Sequence, residues 1–241
     1  MAEVEFLQSY DPAAYERPSV TVDLVLMGVR DGNPTALLLQ RQQHPHAGRW
    51  ALPGGFVGID EDLDEAATRV LRAKAGIASA HLEQLYTFGA PNRDPRTRII
   101  TVAYLVLLPE PALAAALKAA PALFPASLML AGSSEEESPI TALSPDSEPL
   151  PLAFDHGNIL ALALQRLRGK IDYSEVGFAL LPELFTLRQL QDVHEAIRGT
   201  TLNKPAFRRR MLDRGWLAPT GARETDTSHR PAELFRYRKP L

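Results

Sequence analysis

The chain has 241 residues, 45% of them hydrophobic and 23% charged, the balance of a globular protein with one large domain or two modest ones. It has no cysteine, which excludes disulfides, cysteine–zinc centres and thiol nucleophiles. The net charge of −3 hides an asymmetry: residues 200–241 hold ten Lys/Arg against four Asp/Glu, a net of +6, and the remainder holds 16 against 25, a net of −9. A basic end on an acidic body points to a polyanion partner for that end alone. No apolar run is long enough for a membrane span and no charged leader precedes an apolar core, so a cytoplasmic protein with no membrane partner is expected.

Residues 1–18 are polar and read as an N-terminal arm. Ser19–Val29 alternates polar Thr21 and Asp23 with apolar Val20, Val22 and Leu24, a strand signal. The turn chemistry of Asp31-Gly32-Asn33-Pro34 joins it to a second strand at Ala36–Gln40. Leu52-Pro53-Gly54-Gly55 breaks the chain, and Asp62–Ala75 follows as a helix closed by Gly76. Leu82–Phe88 and Ile99–Leu108 read as strands. Within 109–150, the alanine-rich run Pro111–Leu123 predicts a short helix, and the Ser/Glu/Pro-rich run Gly132–Pro151 predicts a mobile surface loop. Leu152-Ala153-Phe154-Asp155-His156 leads into a helix with the stripe Ile159, Leu160, Leu164 and Leu167. Tyr173–Leu184 reads as a linker or strand into a second domain.

That second domain is better signalled. Thr186 and Gln189 form a capping box for a helix over 186–199, and Gly199 stops it. A second helix opens at Asn203 with Pro205 in its first turn and carries Phe207-Arg208-Arg209-Arg210-Met211 before Gly215. Two strand signals, Trp216–Pro219 and Leu234–Arg238, follow as a hairpin. Helix, turn, basic helix and hairpin describe a winged helix-turn-helix, whose second helix is the size a DNA major groove admits. The candidate DNA-binding residues are Thr201, Lys204, Arg208, Arg209 and Arg210, with His229 and Arg230 at the wing tip. Consecutive arginines step about 100° around a helix, so at least one of the three faces away from the groove. The bland reading of the same triplet is a solvated basic face.

Residues 55–77 carry the most specific pattern. Gly55, Glu61, Arg69, Leu71, Gly76 and Ile77 fall on the frame G-x5-E-x7-R-E-U-x-E-E-x-G-U, where U is a bulky aliphatic. This resembles the signature of the Nudix hydrolases, except that its three R-E-U-x-E-E glutamates are Val70, Ala73 and Lys74 here. Those positions share one helix face, where three carboxylates would hold Mg²⁺ at about 2.0–2.1 Å. The metal would neutralise developing charge and activate water. Valine and alanine offer no oxygen ligand, and lysine repels the cation. No metal site and no required cofactor are therefore expected.

The two halves together resemble the NrtR family of Nudix-related transcriptional regulators of NAD metabolism. The resemblance spans nearly the whole chain through Gln40-Arg41, Trp50–Phe56, Leu152–His156, Phe185-Thr186-Leu187, Phe207–Arg210 and Arg230–Phe235. It implies a Nudix-like α/β/α sandwich with a mixed sheet over 19–170 and a winged helix-turn-helix domain over 171–241. It also implies a further tryptophan-bearing strand within 109–150, which the residues do not reveal. It further implies a homodimer that represses genes of NAD synthesis or salvage and leaves its double-stranded operator DNA when the Nudix pocket binds ADP-ribose or a related nucleotide.

A diphosphate favours arginine forks, which makes Arg41, Arg49, Arg69, Arg93 and Arg96 candidates for effector binding. Trp50, Phe56 and Tyr86 are candidates to stack on a base; the alternative for each is the core. For Arg69 the alternative is an ion pair with Glu61 that pins loop to helix. His44 and His46 are weaker candidates in a loop around Pro45. The competing functions are an active Nudix pyrophosphatase with an accessory nucleic-acid module, and a nucleotide-binding scaffold with a protein-interaction tail.

Overall fold

The computed structural model describes residues 2–130, 139–225 and 231–239. β1 (Ser19–Arg30) and β2 (Asn33–Gln40) form the expected antiparallel hairpin, turned at Asp31 and Gly32, both with positive φ. On its other edge β1 pairs in parallel with β6 (Ile99–Leu107), and β5 (Glu83–Phe88) closes that side antiparallel. β7 (Leu123–Leu130) pairs with β2, and β8 (Ile140–Leu143) with β7. The sheet order is β5-β6-β1-β2-β7-β8, with β3 (Trp50–Ala51) on β2 and β4 (Gly54–Phe56) on β1.

Side chains of a strand alternate between faces, so Val22, Leu24 and Leu26 of β1 point one way and Val25 and Met27 the other. The first set packs with α2 (Leu63–Ala75) and α3 (Glu110–Ala119), and the second with α4 (His156–Lys170). This is a sandwich of helices around a mixed sheet. α2 begins with a capping box, in which Glu65 N–H donates to Asp62 Oδ1 at 2.8 Å and Asp62 N–H to Glu65 Oε2 at 3.0 Å. Gly76 ends it in the left-handed region with φ 65°. Among the described residues no helix is long and apolar enough to cross a membrane.

The basic end folds as its caps dictate. α5 (Leu187–Arg198) has the Thr186–Gln189 capping box and stops at Gly199 with φ 70°. α6 (Lys204–Asp213) starts at Asn203, whose Oδ1 accepts the Ala206 N–H at 3.0 Å. β9 (Leu217–Arg223) and β10 (Glu233–Tyr237) form the antiparallel wing. Phe185 bridges to Phe235 through two backbone hydrogen bonds, which closes the wing onto the segment before α5. One apolar cluster runs from Val25 and Met27 through Leu160, Leu164 and Leu167 of α4 to Phe185, Leu190, Ile197, Phe207 and Phe235. The sheet and the winged helix are thus packed around shared side chains.

Five expectations need correction. The arm contains a helix, α1 (Ala2–Ser9). The break at 52–55 is shorter than expected, because Gly54, Gly55 and Phe56 pair with Asp23, Val22 and Thr21. The loop assigned to Gly132–Pro151 contains β8, an edge strand carrying buried Ile140 and Ala142; residues 131–138 of that run lie outside the described residues. The missing strand of 109–150 is β7, which bears no tryptophan. Its Pro125 sits opposite Leu37, and a proline without an N–H to donate masked the strand signal. The linker contains a 3-10 segment, Glu175–Leu180, with Gly177 and Leu180 buried.

Candidate functional site

A cavity of about 290 Å³ opens beside β1 and β4, under Arg41, Phe56, Arg96 and Phe154. Its floor is a buried polar cluster. Asp23, a polar residue of the alternating β1, is buried there and accepts the Thr101 hydroxyl at 2.7 Å. A Cβ on Gly54 would fall 2.2 Å from Asp23 Oδ1, so only glycine fits beside that carboxylate. Arg93 donates Nε and Nη2 to Asp155 at 2.9 and 2.6 Å, and its Nη2 lies 3.7 Å from Asp23. His156 Nδ1 accepts the Leu52 N–H at 2.9 Å, which leaves Nε2, 3.9 Å from Asp23 Oδ1, as the protonated nitrogen. Burial pushes the His156 pKa down, so the ring is neutral.

The rim is cationic. Arg41 donates Nε to the Pro45 carbonyl at 2.8 Å and lies 4.7 Å above the Phe154 ring. Burial, and then the neighbouring Arg96, lower its pKa, with Asp94 offsetting part of the effect. Arg96 forms a fork on Asp94 at 3.0 and 2.8 Å, and that hydrogen bond holds the Asp94 carboxyl below the usual range. His46 meets Phe154 edge-on at 4.8 Å. Phe154 has φ 50°, a left-handed conformation that costs a non-glycine residue energy. Its ring also lines a second cavity of about 710 Å³ with Tyr86, Phe88 and Asn92.

Of the residues expected to meet an effector, Arg41, Phe56, Arg93 and Arg96 therefore gather at one cavity, although Arg93 spends its fork on Asp155. Arg49 lines an adjoining cavity with Leu152 and Asn158. Trp50 packs on Phe124, with ring centres 4.7 Å apart. Arg69 lies outside the cavity lining. It donates Nε to Glu61 Oε2 at 2.9 Å and Nη2 to the Phe56 carbonyl at 2.8 Å, while Gly58 N–H reaches Glu61 Oε1 at 2.7 Å. The Arg69 bond brings the Glu61 pKa down to about 2. This pair ties the loop of residues 56–61 to α2. On α2 itself, Val70 is only 2% exposed and lies in the apolar layer; Ala73 and Lys74 are exposed. A Cβ on Gly55 would come within 3.0 Å of Val70 Cγ2, so the first glycine of the pattern makes room for that side chain.

On the winged helix, Thr201, Lys204, Arg208 and Arg209 are exposed. Lys204 and Arg208 are four residues apart and share a face. Arg210 is the arginine turned away: its Nη2 lies 3.4 Å from Asp172 Oδ1, and its guanidinium lies 5.5 Å from the Phe207 ring centre. His229 and Arg230 lie outside the described residues. His194, expected in the buried stripe of α5, packs edge-on to Phe207 at 5.0 Å, and burial lowers its pKa to about 4.

The sign of that shift sets a pH dependence. The unfolded chain binds a proton on His194 near pH 6.5 and the folded chain only near pH 4, so stability falls as pH drops through that window. By pH 4 the loss is about 3 kcal/mol. Denaturant titrations at pH 7 and pH 5 should show it, and His194→Gln, which has no proton to bind there, should flatten the dependence. An unchanged pH dependence in that variant would remove His194 as its source.

Asp23, Phe154 and His156 line the cavity, and Thr101 and Asp155 bond to its floor; residue-type reasoning nominated none of the five. The available signal was the stretch Leu152–His156, which stood out only as part of the family resemblance.

Comparison with known proteins places this geometry. A model of the NUDIX domain matches residues 18–126, and one described as the NrtR DNA-binding winged helix domain matches residues 177–237. The ADPR responsive transcriptional repressor NtrR of Acinetobacter baylyi is 38% identical over 98% of this chain and 88% of its own. The crystal structure of Shewanella oneidensis NrtR complexed with a 27mer DNA superposes with a TM-score of 0.70 at 33% identity, covering 91% of this chain and 93% of that one. The NUDIX domain of the same protein complexed with ADP ribose gives a TM-score of 0.50 at 32% identity over 69% of this chain and 99% of that one. A mixed-sheet Nudix domain followed by a winged helix, matched over nearly its whole length by these relatives, means that the chain belongs to the NrtR family of transcriptional regulators.

Proposed function

We propose that this protein is a DNA-binding repressor whose Nudix domain senses ADP-ribose or a closely related nucleotide. The arm (1–18), the sensor (19–170) and the winged helix (171–241) divide the work. The observation that carries the reading is a cation-rimmed cavity beside a helix with no carboxylate at positions 70, 73 and 74. Arg41 and Arg96 offer charge to a diphosphate at the cavity mouth, and Phe56 and Phe154 offer rings to a base. Val70, buried and apolar, and Ala73 and Lys74 give Mg²⁺ no side-chain oxygen, so these three positions do not fit the metal that a Nudix hydrolase uses. A nucleotide held there persists uncleaved, as a sensor needs. The genes of NAD synthesis or salvage are the targets the family resemblance implies.

The DNA-binding surface is Thr201, Lys204, Arg208 and Arg209, with the wing beside it. Two such surfaces in a homodimer would read half-sites about 34–36 Å apart. A ligand that favours a different spacing shifts the population away from DNA.

The test is a titration of ADP-ribose into the protein bound to its operator, with AMP release followed in parallel in the presence of Mg²⁺. DNA should be released without AMP appearing. Arg41→Ala should weaken ADP-ribose binding about tenfold or more, as loss of a charge-assisted contact does, and leave DNA binding intact. Rapid AMP production would replace the sensor with a pyrophosphatase.

A further inference from the structure

Two residues beyond the end of α4, one side chain collects the cations of the winged helix. Asp172 Oδ2 lies 2.5 Å from Arg198 Nη1, at the end of α5. Its Oδ1 lies 3.4 Å from Arg210 Nη2 on α6 and 4.0 Å from His194 Nδ1 on α5. Its carbonyl accepts Arg214 Nη2 just past α6. A second tie runs beside it, from Arg168 Nε on α4 to the Ile197 carbonyl at 2.8 Å. The cluster is incompletely satisfied. Among the described residues, His194 Nδ1 and Arg210 Nε are the buried side-chain polar atoms without a hydrogen-bond partner. Buried donors left over around one carboxylate mean that a small displacement of that carboxylate exchanges one set of partners for another.

The other end of α4 is the ligand cavity, where His156 lines the wall and Asp155 holds Arg93. Between the two ends α4 is packed along Ile159, Leu160, Ala163, Leu164 and Leu167. A helix buried along its length moves as a rod of about 22 Å, not by local bending.

We propose that Asp172 is the positioning residue that couples the cavity to the recognition helix: it holds α6 by Arg210 and Arg214, and a shift of α4 is passed to α6 through that carboxylate. The inference rests on the sensor reading above and adds the residue that carries the signal. The coupling is the ratio of operator affinity without ADP-ribose to that with it.

The experiment measures that ratio, together with ADP-ribose affinity in the absence of DNA, in the parent chain, Asp172→Asn and Asp172→Glu. Asparagine keeps an acceptor of the same size but drops the charge. In Asp172→Asn the ratio should fall at least about fivefold towards one, while ADP-ribose affinity stays within about twofold of the parent. Asp172→Glu should recover part of the ratio. A merely structural role would weaken DNA binding with and without ligand alike and leave the ratio intact; that result overturns the proposal. Should Asp172→Asn not fold, Arg198→Gln opens the same cluster and carries the same expectation. A parent chain indifferent to ADP-ribose overturns the functional reading and this inference with it. A responsive parent with an equally responsive Asn variant overturns this inference alone.

Discussion

Replacing Arg208 and Arg209 together by alanine is expected to reduce operator affinity about a hundredfold or more, since each bidentate arginine–guanine contact is worth about 1–3 kcal/mol. The two side chains are exposed on α6 and stand clear of the Asp172 cluster that occupies Arg210. Fold and ligand binding should survive, because Phe207 and Met211, not the arginines, anchor α6 to the core. A mobility-shift titration at several salt concentrations separates two roles. An arginine that reads a base loses affinity for the operator more than for random DNA. One that touches phosphate loses both equally and lowers the slope of log K against log salt by about 0.9. Operator binding equal to the parent's would move the recognition surface elsewhere.

The second large effect falls on stability. Arg93→Ala should destabilise the fold by about 3–5 kcal/mol, the cost of stranding a buried charge. The Arg93 side chain is 4% exposed and neutralises Asp155 and Asp23 together. Without it two carboxylates are left in the cavity floor with one hydroxyl and one neutral imidazole for company. Denaturant unfolding measures the loss. Adding Asp155→Ala should leave the double variant more stable than the sum of the single losses predicts. Strict additivity would mean that the pair does not act as a unit.

Arg93 and Arg210 show what a one-dimensional reading can and cannot reach. The elements whose ends are marked locally came out where expected. Thr186 with Gln189 and Asn203 start helices through bonds that span three residues, and Gly76 and Gly199 end them. Strand β7 was hidden because Pro125 sits in its middle and its pairing partner, β2, is far away in the chain. Alternation along β1 separated two faces but could not tell water from a buried polar cluster, so it gave no sign that Asp23 is buried. Arg93 looked like any other candidate fork because its partner lies 62 residues away; Arg210 looked like its neighbours because Asp172 lies 38 residues away. Residue type announces that a guanidinium will seek an anion. Only the packing decides whether that anion is a ligand, a nucleic acid or the protein itself.

Val70 beneath Gly55 has a last consequence, for substitution at that position. Its side chain belongs to the same apolar layer as Val22, Leu24 and Leu71. A single change to glutamate would carry a carboxylate into that layer, at a cost in stability before any chemistry is gained. Positions 73 and 74 would have to change with it for a metal to bind. The apolar packing at position 70 thus sets a stability cost on any single step from valine to glutamate there.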